Sequence, residues 1–287
     1  MKAILKASAV CIMFLFTACG RVTSDSTNVT TSTTTNENIT SVSTNENIDA
    51  NTTVITEKED IKINNDNFPD YNFRTYVSDR LDKDKNGILD AKECEINSMM
   101  IIDQRIGDLK GIEFFENLEN LEITGNNIST LDLSKNEKLR RLVCSNNLID
   151  TLILGKNESL STLSCRGNKI TQLDVKGISN LESLDCGFNA LTEIDLSENR
   201  KLRVLACSDN KLNALNLDAN TELTSIICSN NSIEKLDISK LTKLESLDCR
   251  NNKLTELDYS NNTELGTLKY EGNEMKLDRE SDTDSLP

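Results

Sequence analysis

The sequence predicts a solenoid of parallel β coils, curved or weakly curved, with a small helical cap at its N-terminal end. The first observation behind this prediction is a pattern that returns every 21 residues without slipping: Leu-x-x-Leu-x-Cys-x-x-Asn-x-Leu-x-x-Leu-Asp-Leu-Ser-x-Asn-x-x. A fixed period of this length is typical of stacked coils, each burying its apolar edge against its neighbours. The second observation is an acidic twelve-residue loop at 82–93, just before the repeats. The leucine that opens each unit stands at Leu118, Leu139, Leu160, Leu181, Leu202, Leu223, Leu244 and Leu265.

Six of the nine cysteines fall in one inward-facing column of the repeat. We interpret them as a reduced ladder in the core, because a free cysteine behaves as a small buried hydrophobe. Occasional bridging between neighbouring coils is a second reading, since stacked strands lie about 4.8 Å apart, but parallel Cβ directions disfavour a disulfide. A metal-binding thiolate ladder is a third, and it lacks the usual Cys-x-x-Cys spacing. These cysteines are Cys144, Cys165, Cys186, Cys207, Cys228 and Cys249.

The repeat resembles the leucine-rich repeat family, in a short bacterial, internalin-like form, over residues 97–278. The resemblance implies that Leu-x-x-Leu-x-Cys is the strand of a parallel sheet and that the asparagine of each unit satisfies backbone groups at the turns. A second asparagine column is replaced by Ile178 and Leu241 in the third and sixth coils, where we expect apolar groups to pack inward. The first asparagine column is Asn126, Asn147, Asn168, Asn189, Asn210, Asn231, Asn252 and Asn273.

The N-terminus predicts export and membrane anchoring. Residues 1–18 combine early lysines with a short apolar run, as in a signal peptide. The sequence Phe-Thr-Ala-Cys-Gly around Cys19 resembles the lipobox of bacterial lipoproteins, which implies that Cys19 is diacylated and becomes the first residue. Ordinary cleavage beside an incidental cysteine is the alternative. Residues 19–57 are rich in Ser, Thr and Asn, which predicts a disordered tether, and residues 279–287 form a polar tail.

A helical cap is predicted over 58–96. Pro69 and Asp70 are typical of a helix start, and apolar residues follow at helical spacing from Phe73 to Leu81. The loop after them resembles an EF-hand, and since Ca²⁺ takes six to eight oxygen ligands, it predicts a calcium site. An acidic turn that has lost its metal is the alternative. No second loop is found, so we expect a structural ion and a loop packed on the first coil. The predicted ligands are Asp82, Asp84, Asn86, the carbonyl of Ile88, Asp90 and Glu93.

The composition disfavours several classes of function for this protein. A net charge of -15 disfavours nucleic acid as a partner, and the absence of histidine removes the commonest general base. No catalytic motif is found, so we expect no enzyme. We predict a binding module, lipid-anchored on the outer face of the cell membrane, that contacts a host or other extracellular protein; a passive envelope lipoprotein is the alternative. The candidate contact residues on neighbouring coils are Phe188, Val204, Ala206 and Ile227.

Overall fold

The chain forms a cap and then a series of stacked coils. The structure is a computed structural model that describes residues 60–275. The predicted signal segment, Cys19, the tether up to residue 57 and the tail from residue 279 lie outside the described residues. The cap contains strand β1 (Ile61–Lys62), helix α1 (Tyr71–Arg80) and strand β2 (Ile88–Leu89). Helix α1 is the single α-helix of residues 60–275, and no helix in this range could cross a membrane.

One three-residue strand from each coil joins a nine-stranded parallel sheet, which confirms the predicted solenoid. The strands follow one another in chain order across this sheet, except that β5 and β7 form a separate parallel pair on another side of the first two coils. A 3₁₀ helix, Ile112–Phe114, precedes the first full coil. The strands are β3 (Ser98–Met100), β4 (Asn120–Glu122), β5 (Thr130–Asp132), β6 (Arg141–Val143), β7 (Thr151–Ile153), β8 (Thr162–Ser164), β9 (Ser183–Asp185), β10 (Val204–Ala206), β11 (Ser225–Ile227), β12 (Ser246–Asp248) and β13 (Thr267–Lys269).

The strands stack in register, so each column of the repeat keeps one orientation throughout the sheet. Leu142 of β6 lies between Leu121 of β4 and Leu163 of β8, and all three are at most 1% exposed. Burying one such side chain stabilises the fold by about 2 kcal/mol. The residues on either side of the central leucine point outward, because side chains alternate along a strand.

The cysteine column lies in the core, where the structure holds its members as buried free thiols. All six are fully buried. Burial raises the pKa of Cys144 to about 12 and that of Cys249 to about 11. A thiol with so high a pKa is neutral at physiological pH, so it packs as an apolar group and is a poor nucleophile.

The first asparagine column forms the ladder that the resemblance implies. Asn210 donates from Nδ2 to the carbonyls of Cys186 (3.0 Å) and Cys207 (3.1 Å), and its Oδ1 accepts from the amide of Leu191 at 2.9 Å. Asn210 Nδ2 also donates to the carbonyl of Ser208 at 3.2 Å, so one side chain pairs with four backbone groups on two coils. The same arrangement recurs along the column.

In the second asparagine column, the side-chain nitrogen has hydrogen-bond partners and the side-chain oxygen has none among residues 60–275. Asn220 donates to the carbonyls of Leu196 (3.0 Å) and Asn199 (2.9 Å), yet its buried Oδ1 has no partner within residues 60–275. The other four members share this feature. Ile178 and Leu241 occupy the same column and are 1% exposed, which confirms the expected inward packing of the third and sixth coils.

Several contacts join the cap to the coils, among them a hydrogen bond from Asn72 Nδ2 to the carbonyl of Arg105 at 3.2 Å and the packing of Phe68 against Phe114. Asp70 caps α1, since its Oδ1 accepts from the amide of Phe73 at 2.9 Å. Its Oδ2 accepts from the amide of Gly107, at 2.8 Å, in the irregular coil that precedes Leu118. At the opposite end, Tyr270 and Met275 pack against the core and remain partly exposed. The first coil is therefore covered more completely than the last.

Candidate calcium loop and contact surface

The candidate calcium loop begins where α1 ends. The amide of Leu81 donates to the carbonyl of Val77 and closes the helix. The chain then turns sharply through Gly87, whose φ is +80°. No atom lies within 4 Å of the position that a Cβ at Gly87 would take, so the left-handed backbone, rather than crowding, favours glycine here.

Three of the six predicted ligands meet at one point. Asp82, Asp84 and Glu93 each offer a carboxylate oxygen, and these oxygens all lie within 4.8 Å of one another. Asp82 is only 2% exposed. Backbone amides donate to all three carboxylates, but the like charges still repel one another at this distance, and a cation between them would remove the repulsion.

Two of the three lysines of the loop, Lys83 and Lys85, do not supply that cation, and the third, Lys92, is exposed and forms no ion pair among residues 60–275. Lys83 Nζ donates to the carbonyl of Arg80, and Lys85 Nζ donates to the carbonyls of Ser78 and Asp79. Both ammonium groups therefore cap the C-terminal end of α1, where carbonyls lack partners within the helix. The oxygen-rich donor set and the missing counter-charge fit a hard divalent cation such as Ca²⁺.

The remaining predicted ligands have other contacts. Asn86 donates from Nδ2 to Asp84 Oδ2 at 2.9 Å, and its Oδ1 accepts from the amide of Ile88 at 2.7 Å. Asp90 and Glu93 exchange hydrogen bonds, each carboxylate accepting from the other residue's amide. Asp90 is not part of the three-carboxylate group, which agrees with a position that binds an ion through water.

The segment that pairs with the candidate calcium loop differs from the one we expected. Strand β2 of the loop pairs antiparallel with β1, with Ile61 opposite Leu89, and the amide of Ile63 donates to the carbonyl of Gly87 at 2.9 Å. The prediction that the first coil supplies this partner is therefore wrong. The pairing strand comes from the segment that leads into the cap, whose position no repeat indicates. A single turn follows Asp90, so a second helix is missing from this part of the described chain.

The four candidate contact residues form two groups. Val204 and Ala206 share an outward face of β10, and Ala206 lies opposite Ile227 of β11. Phe188 lies beyond the end of β9, where its amide donates to the carbonyl of Ser208 at 2.9 Å, and the residue is 47% exposed.

Arg166 and Gly187 were missing from the sequence-based contact surface. The guanidinium carbon of Arg166 lies 4.1 Å from the centre of the Phe188 ring. A Cβ on Gly187 would come within 2.9 Å of Arg166 Nη1, so glycine makes room for this arrangement. Burial raises the pKa of Asp185 nearby, although the Gly187 amide and Arg166 oppose the change. In the sequence, Phe188 is already unusual, because other coils carry Gly, Asn or Asp at its position.

Comparison with known proteins identifies the repeat. A family model for leucine-rich repeats (two copies) matches residues 221–263. Internalin C2 from Listeria monocytogenes is similar in structure, with 23% identity over 73% of this chain and 97% of that one, and a TM-score of 0.66. The described fold is an internalin-like leucine-rich repeat solenoid.

Two further solved structures are similar over part of their length. A leucine-rich repeat protein of Leptospira interrogans is 26% identical, with a TM-score of 0.54, over 58% of this chain and 46% of that one. The functional domain of InlJ from Listeria monocytogenes, which includes a cysteine ladder, is 29% identical, with a TM-score of 0.37. That match covers 77% of this chain and 64% of the InlJ domain. A search of curated proteins found no match.

Proposed function

We propose that this leucine-rich repeat protein binds a host or other extracellular protein while a lipid on Cys19 anchors it to the outer face of the cell membrane. The observation that carries this proposal is the contrast between the two sides of the sheet. Inward residues are the same in nearly every coil, whereas the outward residue before the cysteine column changes from coil to coil. A constant core with a variable surface suits recognition of one partner. These outward residues are Glu122, Val143, Ser164, Asp185, Ala206, Ile227, Asp248 and Lys269.

The calcium ion has a structural role in this proposal. Asp82, Asp84 and Glu93 would hold it directly, with the Asn86 side chain and the Ile88 carbonyl completing the shell and Asp90 acting through water. Bound calcium would neutralise the converging carboxylates and so stabilise β2. Because β2 pairs with β1, the ion would also hold the segment that leads into the cap.

Binding is tested with an array of purified host-surface and extracellular-matrix proteins in millimolar calcium. We expect at least one saturable binder that is lost when Ala206→Glu and Ile227→Glu are combined. The matched control combines Gln172→Glu and Lys235→Glu, which add the same side chain to exposed positions on another side of the coils. If no binder depends on the sheet face, the passive envelope alternative is favoured.

Anchoring is tested separately in the producing cell. We expect an alkyne-tagged fatty acid to label the protein and to fail to label the Cys19→Ala variant, which should be released from the membrane fraction. Equal labelling of both proteins would contradict the lipid anchor without affecting the binding proposal.

A further inference from the structure

One column of the solenoid lies in the left-handed region of backbone space in every coil. Its φ angles run from +54° to +77°. Glycine adopts this conformation freely, and Asn and Asp tolerate it better than other residues, whereas a bulky side chain there is strained. Eight of the nine positions obey this preference and Phe188 alone does not. The column is Asp103, Gly125, Asn146, Gly167, Phe188, Asp209, Asn230, Asn251 and Gly272.

Phe188 also interrupts a run of hydrogen bonds. Asn251 donates to Asn230 Oδ1 at 2.7 Å, and Asn230 donates to Asp209 Oδ1 at 3.0 Å. An asparagine at position 188 would extend this run by one coil. The coil requires the left-handed backbone here, but not a phenylalanine, since Gly, Asn or Asp occupies the same position in the other coils. Phe188 therefore carries backbone strain together with an aromatic side chain that is half exposed. Strained positions concentrate at functional sites.

Arg166 is held against this ring with most of its hydrogen-bonding capacity unused. Among the described residues its nearest carboxylate is Asp185, at 4.0 Å from Nη1, which is too far for a hydrogen bond. Arg250 occupies the same position four coils further on and behaves differently. It forms two hydrogen bonds with Asp248, at 2.9 Å and 2.6 Å. The third coil has Ser164 where the seventh has Asp248, so Arg166 lacks this internal partner.

We propose that Phe188 and Arg166 form the anchor of the partner-binding surface and receive a protein segment that presents a carboxylate beside an apolar side chain. The inference rests on the proposed binding function and specifies the partner's chemistry. A planar guanidinium binds a carboxylate by donating two parallel hydrogen bonds to its oxygens. The exposed face of Phe188 supplies the adjoining apolar contact. Arginine and aromatic residues are enriched among residues that dominate binding energy.

The probe is a phage library of random dodecapeptides, selected on the purified protein in millimolar calcium. We expect enriched peptides to share an acidic residue next to an apolar one, and to bind the Phe188→Asn variant at least about tenfold more weakly. Arg166→Gln should enrich peptides that lack the acidic residue. Gly187→Ala, which removes no binding group but displaces Arg166, should also weaken binding. Tyr259→Asn removes another half-exposed aromatic residue and serves as the control.

The thermal stability of Phe188→Asn distinguishes a binding role of Phe188 from a structural role. Asparagine relieves the backbone strain and can donate to Asp209, so the melting temperature of Phe188→Asn should be no lower than that of the native chain. A fall of more than about 4 °C would assign Phe188 a structural role and overturn the proposal. Two other results would overturn the proposal and leave the proposed function intact. One is that the enriched peptides lack an acidic residue. The other is that Ala206→Glu abolishes peptide binding whereas Phe188→Asn does not. If the selection enriches no peptide, the proposed role of Phe188 and Arg166 is contradicted. If the protein array contains no binder that depends on the sheet face, the proposed binding function itself is contradicted.

Discussion

Polar side chains accept hydrogen bonds from backbone amides in both the solenoid and the cap, but the two regions space their charged groups differently. In the solenoid, the asparagines of the first column are one coil apart and are satisfied by backbone groups, as Asn210 is by four of them. The exposed Asp195 follows the same rule, because its Oδ1 accepts from the amide of Ser197 at 3.0 Å. In the cap, the carboxylates of Asp82, Asp84 and Glu93 converge.

This difference separates acidic residues that stabilise turns from those that are suited to bind an ion. A periodic acidic residue repeats a backbone contact in each coil and needs no further partner. Converging carboxylates repel one another, and the protein gains stability when a cation joins them. The comparison also orders the expected effects of substitutions, because a side chain that pairs with backbone groups of two coils should matter most and an exposed turn residue least.

The largest effect is expected when Asn210 is replaced by leucine. The substitution leaves the carbonyls of Cys186 and Cys207 and the amide of Leu191 without their partner, at a cost of about 3 kcal/mol in the free energy of unfolding. Urea denaturation of the variant and the native protein measures the difference. A cost below about 1 kcal/mol would show that water replaces the side chain and that the ladder adds little stability.

Glu93→Gln is expected to remove the stabilisation that calcium gives. At a calcium concentration about 100 times the dissociation constant, the ion contributes about 2.7 kcal/mol, and the variant loses a carboxylate that closes the shell. Thermal unfolding with calcium and with chelator measures the gain. Glu95→Gln, at an exposed residue just after the loop, is the control and should keep the calcium-dependent rise. A rise that survives in Glu93→Gln would remove Glu93 from the site.

Asn220→Leu should cost less than Asn210→Leu, although both residues lie in the same coil. The substitution removes two hydrogen bonds to Leu196 and Asn199 but also removes a buried oxygen without a partner. Ile178 and Leu241 show that the column accepts apolar side chains. We expect a loss of about 1 kcal/mol in the same urea experiment. Equal costs for the two variants would show that the columns do not differ in the way proposed.

The smallest effect is expected for Asp195→Asn, and only in acid. The Ser197 hydroxyl and amide, with Lys176, lower the pKa of Asp195 to about 2. Because the folded pKa lies below the unfolded value, this carboxylate stabilises the fold above about pH 4 and the contribution is lost as the pH falls towards 2. The urea midpoints of the native protein and the variant should therefore differ slightly at pH 5 and converge near pH 2. A difference that grows in acid would contradict this assignment.

Much of the fold could be predicted from the sequence because a regular period makes every coil an independent observation of the same structure. The column of each leucine and cysteine indicated its burial, and the first ladder followed from the family resemblance. Part of the candidate site was also accessible, since the spacing from Asp82 to Glu93 indicated a calcium loop. The contact surface was found only in part, because Phe188 was noticed as apolar while its strained backbone and its contact with Arg166 were not visible.

The sequence by itself determined which residues face the core, since the 21-residue period and the alternation of side chains along a strand leave one arrangement that buries the apolar columns. Only the tertiary structure decided which exposed or aperiodic groups meet. The pairing of β1 with β2 and the position of Arg166 over Phe188 both depend on the path of the chain between elements and on side-chain rotamers. The repeat pattern does not predict these contacts, because each occurs only once and involves residues with several accessible conformations.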